Sequence, residues 1–210
     1  MLRRLRAARK AWPRPYVTAL ADETRDPFRV LIACLLSLRT RDETTADAST
    51  RLFGAADNPE AMVRLGSARI SKLIYPVGFY KTKAKQIIDI CRQLDSRFDG
   101  EVPDDIEELI TLPGVGRKTA NLVRTEGFGK PGICVDIHVH RISNRWGLVD
   151  TKTPDKTEIA LRECLPRRYW IEFNDLLVAF GQQVCRPTSP ICSSCPVAAD
   201  CPRIGVSRSR

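Results

Sequence analysis

Apolar residues along this chain recur mostly at helical spacing, and short segments with Pro or Gly separate the periodic stretches. The run FRVLIACLLSL (residues 28–38) is apolar on nearly every side and follows Asp26-Pro27, so it predicts a buried central helix. Helical periodicity also predicts a helix over residues 83–98 that Gly100 and Pro103 end. Further helices are predicted over 59–65, 67–73, 106–112, 154–161 and about 170–181. No segment alternates as strands do, so the pattern predicts an all-α protein.

Composition narrows the class of protein. The chain has 210 residues and is 43% hydrophobic, which is enough for a sizeable core and excludes a disordered chain. No apolar run has the length of a membrane span, and the basic N-terminal stretch lacks the apolar region of a signal peptide. We therefore expect a soluble cytoplasmic protein with no membrane partner.

Net charge points to a polyanion as the partner. Lys and Arg number 34 against 25 Asp and Glu, a formal charge of +9. Five of the basic residues lie within residues 1–10, a basic N-terminal arm, and three Arg lie within the last eight residues. Nucleic acid is the usual partner of such a protein, although a generally basic surface gives the same total.

The eight cysteines fall into two groups. Four are scattered and are expected to lie in the core as small apolar residues: Cys34, Cys91, Cys134 and Cys164. The other four have the spacing C-x6-C-x2-C-x5-C: Cys185, Cys192, Cys195 and Cys201. This spacing predicts a metal centre with four thiolate ligands, and both zinc and a [4Fe–4S] cluster accept such a set.

The stretch LITLPGVGRKTANLV (residues 109–123) has the pattern of a helix–hairpin–helix. Pro113 ends one helix, Gly114 and Gly116 allow a tight turn, and a second helix begins near Arg117. Backbone N–H groups at such a helix start can bind a DNA phosphate without reading sequence. The alternative is an ordinary turn between two helices.

Three motifs in order, LPGVGRKTAN, VDIHVHRISNR (residues 135–145) and the cysteine tail, resemble those of the endonuclease III family of DNA repair glycosylases. The resemblance extends from about Asp26 to Cys201. It implies two helical domains with a DNA cleft between them. Residues 20–130 would form a six-helix barrel with the hairpin, and residues 1–19 with 131–210 a domain that holds a [4Fe–4S] cluster.

The resemblance also implies a function in base excision repair. A monomeric glycosylase with AP lyase activity would remove oxidised pyrimidines from damaged double-stranded DNA, in the cytoplasm or nucleoid of a bacterium or archaeon. A Schiff base on a lysine would then allow strand cleavage by β-elimination. The alternatives are a mismatch-specific glycosylase and a non-catalytic iron–sulfur protein that binds DNA.

The family motif assigns the nucleophile to Lys118 and the second catalytic residue to Asp136. Phosphate binding by Lys118 and helix capping by Asp136, before a helix that starts near His138, are the simpler alternatives. No catalytic role is expected for His138 or His140.

Further positions are expected to contact DNA. Arg39, where many relatives have Gln, and Phe79, in place of an aliphatic wedge, would fill the gap that an extruded base leaves. Burial in the core is the alternative for Phe79. The remaining expected DNA contacts are Asp42, Gly114, Val115, Gly116, Arg117, Thr119 and Arg186.

Overall fold

The computed structural model describes residues 1–210, and its regular structure is entirely helical. The prediction of an all-α protein is therefore confirmed. None of the helices is long and apolar enough to cross a membrane. In chain order the helices are α1 (Leu2–Arg9), α2 (Tyr16–Thr24), α3 (Pro27–Ser37), α4 (Asp42–Phe53), α5 (Pro59–Ile74), α6 (Tyr80–Phe98), α7 (Ile106–Leu109), α8 (Arg117–Leu122), α9 (Ile137–Arg145), α10 (Pro154–Cys164) and α11 (Trp170–Gln183). A π-helical turn (Val123–Gly127) and two 3-10 turns (Arg167–Tyr169 and Ala198–Asp200) complete the regular structure.

The chain divides into two compact units. The inner unit is the continuous segment Tyr16–Lys130, and the terminal unit joins Met1–Pro15 to Pro131–Arg210. Each unit has a hydrophobic core of its own.

Helix α3 is the centre of the inner core, as its all-round apolar sequence predicts. Every residue from Val30 to Leu36 is at most 1% exposed. The Asp26 side chain caps the helix by accepting from the N–H groups of Phe28 (2.9 Å) and Arg29 (3.3 Å). Burial of each large aliphatic side chain contributes about 2 kcal/mol to the stability of the folded state. Helix α3 is therefore a stable support for the loop that follows it.

Several helices differ from the prediction. The segments predicted as separate helices before and after Gly66 are two parts of α5, which bends where Gly66 takes φ 76° and ψ 152°. Helices α1, α2 and α4 were not predicted. Helix α4 (DETTADASTRLF) buries only small residues and one leucine, so its apolar stripe is too weak to mark it.

Burial separates the scattered cysteines. Cys34, Cys91 and Cys134 are at most 1% exposed, as expected. Cys164 is exposed, so its assignment to the core is wrong. It is the last residue of α10 and lies beyond the buried face of that helix.

The basic N-terminal segment is helix α1, packed on α11 within the terminal unit. Leu5 is fully buried, while Arg6 pairs with Glu172 and Arg9 makes two 2.9 Å bonds to the Asp175 carboxylate. Acidic partners thus neutralise part of the charge that was expected to form a basic arm.

Candidate functional site

The hairpin between α7 and α8 is built by its glycines and by one buried apolar residue. Gly114 has φ 79°, a left-handed conformation that glycine adopts without strain, and Val115 is 5% exposed. A side chain at Gly114 would also meet the Gln86 amide at 2.7 Å. Gly116 is the N-cap of α8 and supplies no side-chain acceptor, so side-chain capping does not cover the first amides of this helix.

The next three residues point in different directions. Lys118 is exposed in the first turn of α8. Arg117 donates to Glu107 on α7 (3.1 Å), a bond that ties the two helices of the hairpin together. Thr119 is 4% exposed, so its side chain lies in the core.

Asp136 is the N-cap of α9 in the terminal unit. Its Oδ1 accepts from the N–H groups of His138 and Val139, both at 2.8 Å. These two bonds hold the half-buried carboxylate at the start of the helix, where the helix dipole stabilises its negative charge. The predicted capping role is thus present. His138 packs tightly against Gly181 of α11, where an added methyl would lie 2.4 Å from the imidazole Nδ1.

Arg39 and Phe79 lie side by side on two loops of the inner unit. Both have left-handed backbones, with φ 53° and 58°, and the Arg39 guanidinium lies 5.5 Å from the centroid of the Phe79 ring. Phe79 is 60% exposed, which excludes the alternative that it is a core residue. The two loops form one structural element, because the Gly78 N–H donates to Thr40 Oγ1 (3.1 Å).

Close approach of the two backbones leaves no room for a side chain at Gly78. A methyl group there would lie 2.6 Å from the carbonyl oxygen of Arg39. Glycine is needed here for contact between the loops, although its sequence context (PVGFY) suggests only a break between helices.

Lys83, on α6 just after Phe79, binds the loop that contains Arg39 through hydrogen bonds, a role that was not predicted. Its ammonium donates to the carbonyls of Leu36 (2.9 Å) and Leu38 (2.5 Å) and to Thr40 Oγ1 (3.4 Å). The side chain is 4% exposed, and burial lowers the pKa of Lys83 to about 8. One signal was available in the sequence: Lys83 lies on the same face of α6 as Ile87, which marks it as a buried lysine.

Asp42 begins α4 and joins it to α2. Its Oδ2 accepts from the Tyr16 N–H at 2.7 Å. Partial desolvation raises the pKa of Asp42, while this hydrogen bond acts in the opposite direction. Its contact with Tyr16 gives Asp42 a role within the inner unit, in addition to the DNA contact expected for it.

The four cysteines of the tail line one small cavity of the terminal unit, which has a volume of about 20 Å³. Burial is the main cause that raises the pKa of Cys195 and of Cys201, and repulsion from neighbouring thiolates adds to it. All four residues line this cavity, but no three of their side chains are arranged to hold a single metal ion.

Arg145 organises the cysteine segment and was not predicted. It is 8% exposed and donates to Cys185 Sγ (3.4 Å) and to the carbonyls of Arg186 (2.7 Å) and Pro187 (2.5 Å). Arg186 itself is exposed. A buried arginine with three acceptors fixes the start of a loop that has no regular structure of its own.

Comparison with known proteins agrees with this architecture. The model of the HhH-GPD superfamily of base excision DNA repair proteins matches residues 32–167. A protein named endonuclease III from Thermotoga maritima is 48% identical over 84% of this chain and 83% of its own length. Endonuclease III-like protein 1 from Bos taurus is 43% identical over 83% of this chain and 58% of its own length.

Solved structures show the same likeness. A trapped covalent intermediate of endonuclease III with DNA aligns with a TM-score of 0.79 at 36% identity, over 85% of this chain and 84% of that one. A non-covalent endonuclease III–DNA complex gives the same values. A thermostable thymine-DNA glycosylase, with a TM-score of 0.77, 96% coverage of both chains and 23% identity, shares the fold.

Proposed function

We propose that this chain, which belongs to the endonuclease III family within the HhH-GPD superfamily of base excision DNA repair proteins, uses Lys118 as its nucleophile and Asp136 as its second catalytic group. The family makes it a DNA glycosylase with AP lyase activity. The observation that carries the residue assignment is the hairpin, whose two glycines bring α8 to a start one residue before an exposed Lys118.

The hairpin binds a DNA phosphate through the backbone around Gly114 and Gly116. Glycine removes the side chains that would keep the phosphate away, and the N-cap of α8, Gly116, makes no side-chain bond to the first N–H groups of the helix. Val115 supports this loop from the core, and the Arg117–Glu107 bond sets its angle. Such contacts read the backbone of damaged double-stranded DNA and not its sequence.

Lys118 attacks C1′ of the damaged nucleotide. Its amine forms a bond to C1′ as the bond to the base breaks, and the base leaves with the electron pair and takes up a proton. Ring opening of the sugar then gives a Schiff base, which acidifies the C2′ proton. Loss of that proton and of the 3′ phosphate cleaves the strand by β-elimination, so one lysine accounts for both activities.

Asp136 stabilises the positive charge that develops on the sugar as the base leaves. The two N–H bonds to its Oδ1 fix the carboxylate before substrate binds, so no reorganisation is needed in the transition state. The second oxygen, Oδ2, takes no part in these two bonds and is the one we assign to the substrate.

Arg39 and Phe79 fill the space that the extruded nucleotide leaves. An exposed aromatic ring is a suitable wedge between base pairs, and the adjacent guanidinium can donate to the orphaned base. Oxidised pyrimidines are the proposed substrates, and a single chain is the proposed active form.

The cysteine cavity suits a [4Fe–4S] cluster. A zinc ion needs four sulfurs at about 2.3 Å from one point, whereas a cluster spreads its four thiolate bonds over four iron atoms. Cys185, Cys192, Cys195 and Cys201 line one cavity, and membership of the endonuclease III family supports a cluster as the group they bind. The four cysteines would tie their loop together through a bound cluster, and Arg145 donates a hydrogen bond to the first of them, Cys185 Sγ.

Borohydride trapping tests the assignment of Lys118. Wild-type protein incubated with a duplex that contains one abasic site should become covalently linked to it when the Schiff base is reduced. Lys118→Gln should give no covalent product, and Lys152→Gln, a matched change at another exposed lysine, should give the wild-type yield. Normal trapping by Lys118→Gln would show that another amine is the nucleophile. A panel of duplexes with single lesions, scored separately for base release and strand cleavage, tests the substrate.

The cluster has a test of its own. Purified protein should be brown and contain about four iron and four acid-labile sulfide per chain. A colourless protein with one zinc per chain would contradict the assignment.

A further inference from the structure

A groove on the inner unit has a composition that the catalytic residues do not account for. It lies between the second part of α5 and the start of α6 and has a volume of about 560 Å³. We name it the lysine groove, and the residues that matter for its chemistry are Ser71, Lys72, Tyr75, Tyr80, Lys81 and Lys85.

The lysines around this groove have no acidic neighbours in their own segment of the chain. Residues 61–88 contain six Lys or Arg and no Asp or Glu, and three of the six line the groove. Lys72, Lys81 and Lys85 are exposed and make no ion pair with a carboxylate. Three of the four arginines of α1, in contrast, pair with acidic residues of the terminal unit: Arg4, Arg6 and Arg9. Three ammonium groups around one groove favour an anion with several charges.

Two tyrosines add a second kind of contact. Tyr75 is 61% exposed and packs edge-to-face with Tyr80, at 5.3 Å between ring centroids and 83° between planes. Lys81 Nζ lies 6.0 Å from the centroid of the Tyr80 ring. Tyrosine hydroxyls beside lysines can donate hydrogen bonds to the phosphate oxygens of a duplex.

The wall of the groove is preformed. Arg51 of α4 donates to the carbonyls of Leu73 (2.8 Å) and Tyr75 (2.7 Å), which holds the end of α5 in place. A binding surface that is already ordered loses little conformational entropy when its ligand binds.

Two residues that line the groove are next to the wedge residue in the chain. Tyr80 and Lys81 directly follow Phe79, which is the N-cap of α6. A DNA strand in contact with the Phe79 ring would therefore come near the start of α6, where Tyr80 and Lys81 line the groove.

We propose that the lysine groove binds the phosphodiester backbone of the duplex beside the lesion, as a second DNA site that acts together with the hairpin. The inference rests on the proposed role of Phe79 as the wedge. Each of Lys72, Lys81 and Lys85 neutralises one phosphate. These contacts hold the part of the duplex that lies next to the inserted Phe79 ring.

The salt dependence of DNA binding measures these contacts. Neutralising one phosphate of B-DNA changes the slope of log Kobs against log salt concentration by about −0.9, so three contacts contribute about −2.7. The triple variant Lys72→Gln/Lys81→Gln/Lys85→Gln should therefore have a slope that is shallower by roughly 2 to 3. Wild-type protein should then lose about 40-fold more affinity than the variant between 50 and 200 mM salt.

A second triple variant, Lys10→Gln/Lys152→Gln/Lys156→Gln, is the matched control. It removes the same charge from exposed lysines of the terminal unit. It should keep the wild-type slope to within about 0.5, well under the change expected from one phosphate contact. Equal changes in both triple variants would show an effect of total charge and overturn the proposal, and so would an unchanged slope in the groove variant. Far-UV circular dichroism checks that both variants are folded.

Neutral methylphosphonate linkages placed at single positions beside the lesion locate the contacts. At some positions they should weaken wild-type binding and leave the groove variant unaffected. The same loss in both proteins at every position would overturn the proposal. Inorganic tripolyphosphate that binds the groove without competing with duplex DNA would instead identify a site for a small anion, which also overturns it.

Borohydride trapping of the wild-type protein on an abasic duplex distinguishes a failure of the Lys118 assignment from a failure of the groove assignment. Wild-type protein that shows the groove-dependent salt slope but forms no covalent product would refute the role of Lys118 and leave the groove assignment standing. Covalent product without a groove-dependent slope would do the reverse.

Discussion

Replacement of Lys83 by methionine tests whether hydrogen bonds from a buried ammonium group hold together the two loops that carry Arg39 and Phe79. Methionine fills a similar volume but cannot donate a hydrogen bond. Two effects oppose each other at pH 7. Removal of the ammonium relieves the burial that lowers the pKa of Lys83 from 10.5 to about 8, which corresponds to about 3 kcal/mol. The carbonyls of Leu36 and Leu38 lose their donor, at a cost of about 1–3 kcal/mol each.

The two proteins should therefore differ little in stability at neutral pH and diverge in alkali. Between pH 8 and 10.5 the unfolded chain keeps the Lys83 proton while the folded protein releases it. The free energy of unfolding of the wild type thus rises with pH in this window, relative to the variant. The relative gain reaches about 2 kcal/mol at pH 9.5. Below pH 8 both states of the wild type are protonated, and the burial penalty is present in full.

Urea unfolding at pH 7.5 and 9.5, followed by far-UV circular dichroism, measures the gap between the two proteins. The dichroism signal is required because all three tryptophans, Trp12, Trp146 and Trp170, lie in the terminal unit. Lys83→Arg is a control that remains charged, and the stability of Lys83→Arg relative to Lys83→Met should be the same at the two pH values. A gap between wild type and Lys83→Met that stays constant from pH 7.5 to 9.5 would refute the reasoning, since it would mean that the three oxygen acceptors outweigh burial.

Other residues give sharper tests of single roles. Asp136→Asn should retain the helix cap and DNA binding while losing most turnover, whereas Asp136→Ala should also lower stability by about 1 kcal/mol; turnover close to wild type in Asp136→Asn would exclude a catalytic carboxylate. Phe79→Ala should change the free energy of unfolding by less than about 1 kcal/mol, because the ring is exposed, yet slow single-turnover base release at least about tenfold; an unchanged rate contradicts the wedge. Iodoacetamide should modify Cys164 in the folded protein and leave Cys91, whose pKa burial raises to about 12, unmodified, as peptide mass spectrometry can show; equal labelling of both would contradict the burial pattern.

Local chemistry decides which parts of this protein can be predicted from sequence. The hairpin, Asp136 and the cysteine segment depend on residues that are close together in the chain, so their spacing carries the information. Helix α3 is apolar on all sides, and its burial follows directly. The exposure of Cys164 depends instead on which side of α10 packs against the core, and the sequence around Cys164 does not show that.

Contacts between distant segments account for most of the rest. Lys83 binds oxygens that are 43 to 47 residues away in sequence, and Arg145 binds a sulfur 40 residues away. Gly78 is required by the carbonyl of Arg39, which approaches it only in the folded protein. The charge of the lysine groove is visible in sequence as a segment without acidic residues, but its shape depends on the bend at Gly66 and on the turn from α5 into α6.

The order in which the two units can fold follows from the order of their segments along the chain. The inner unit is one continuous segment, so it can fold on the ribosome as soon as residue 130 has emerged. Leu5 precedes the inner unit in the chain, yet the core that buries it includes Phe173, Phe180 and Val197. Helix α1 must therefore wait until residue 197 has been synthesised, long after the inner unit can fold. Until then α1 has no core to pack against and is open to proteases, so the terminal unit, with its cysteine segment, completes its fold second.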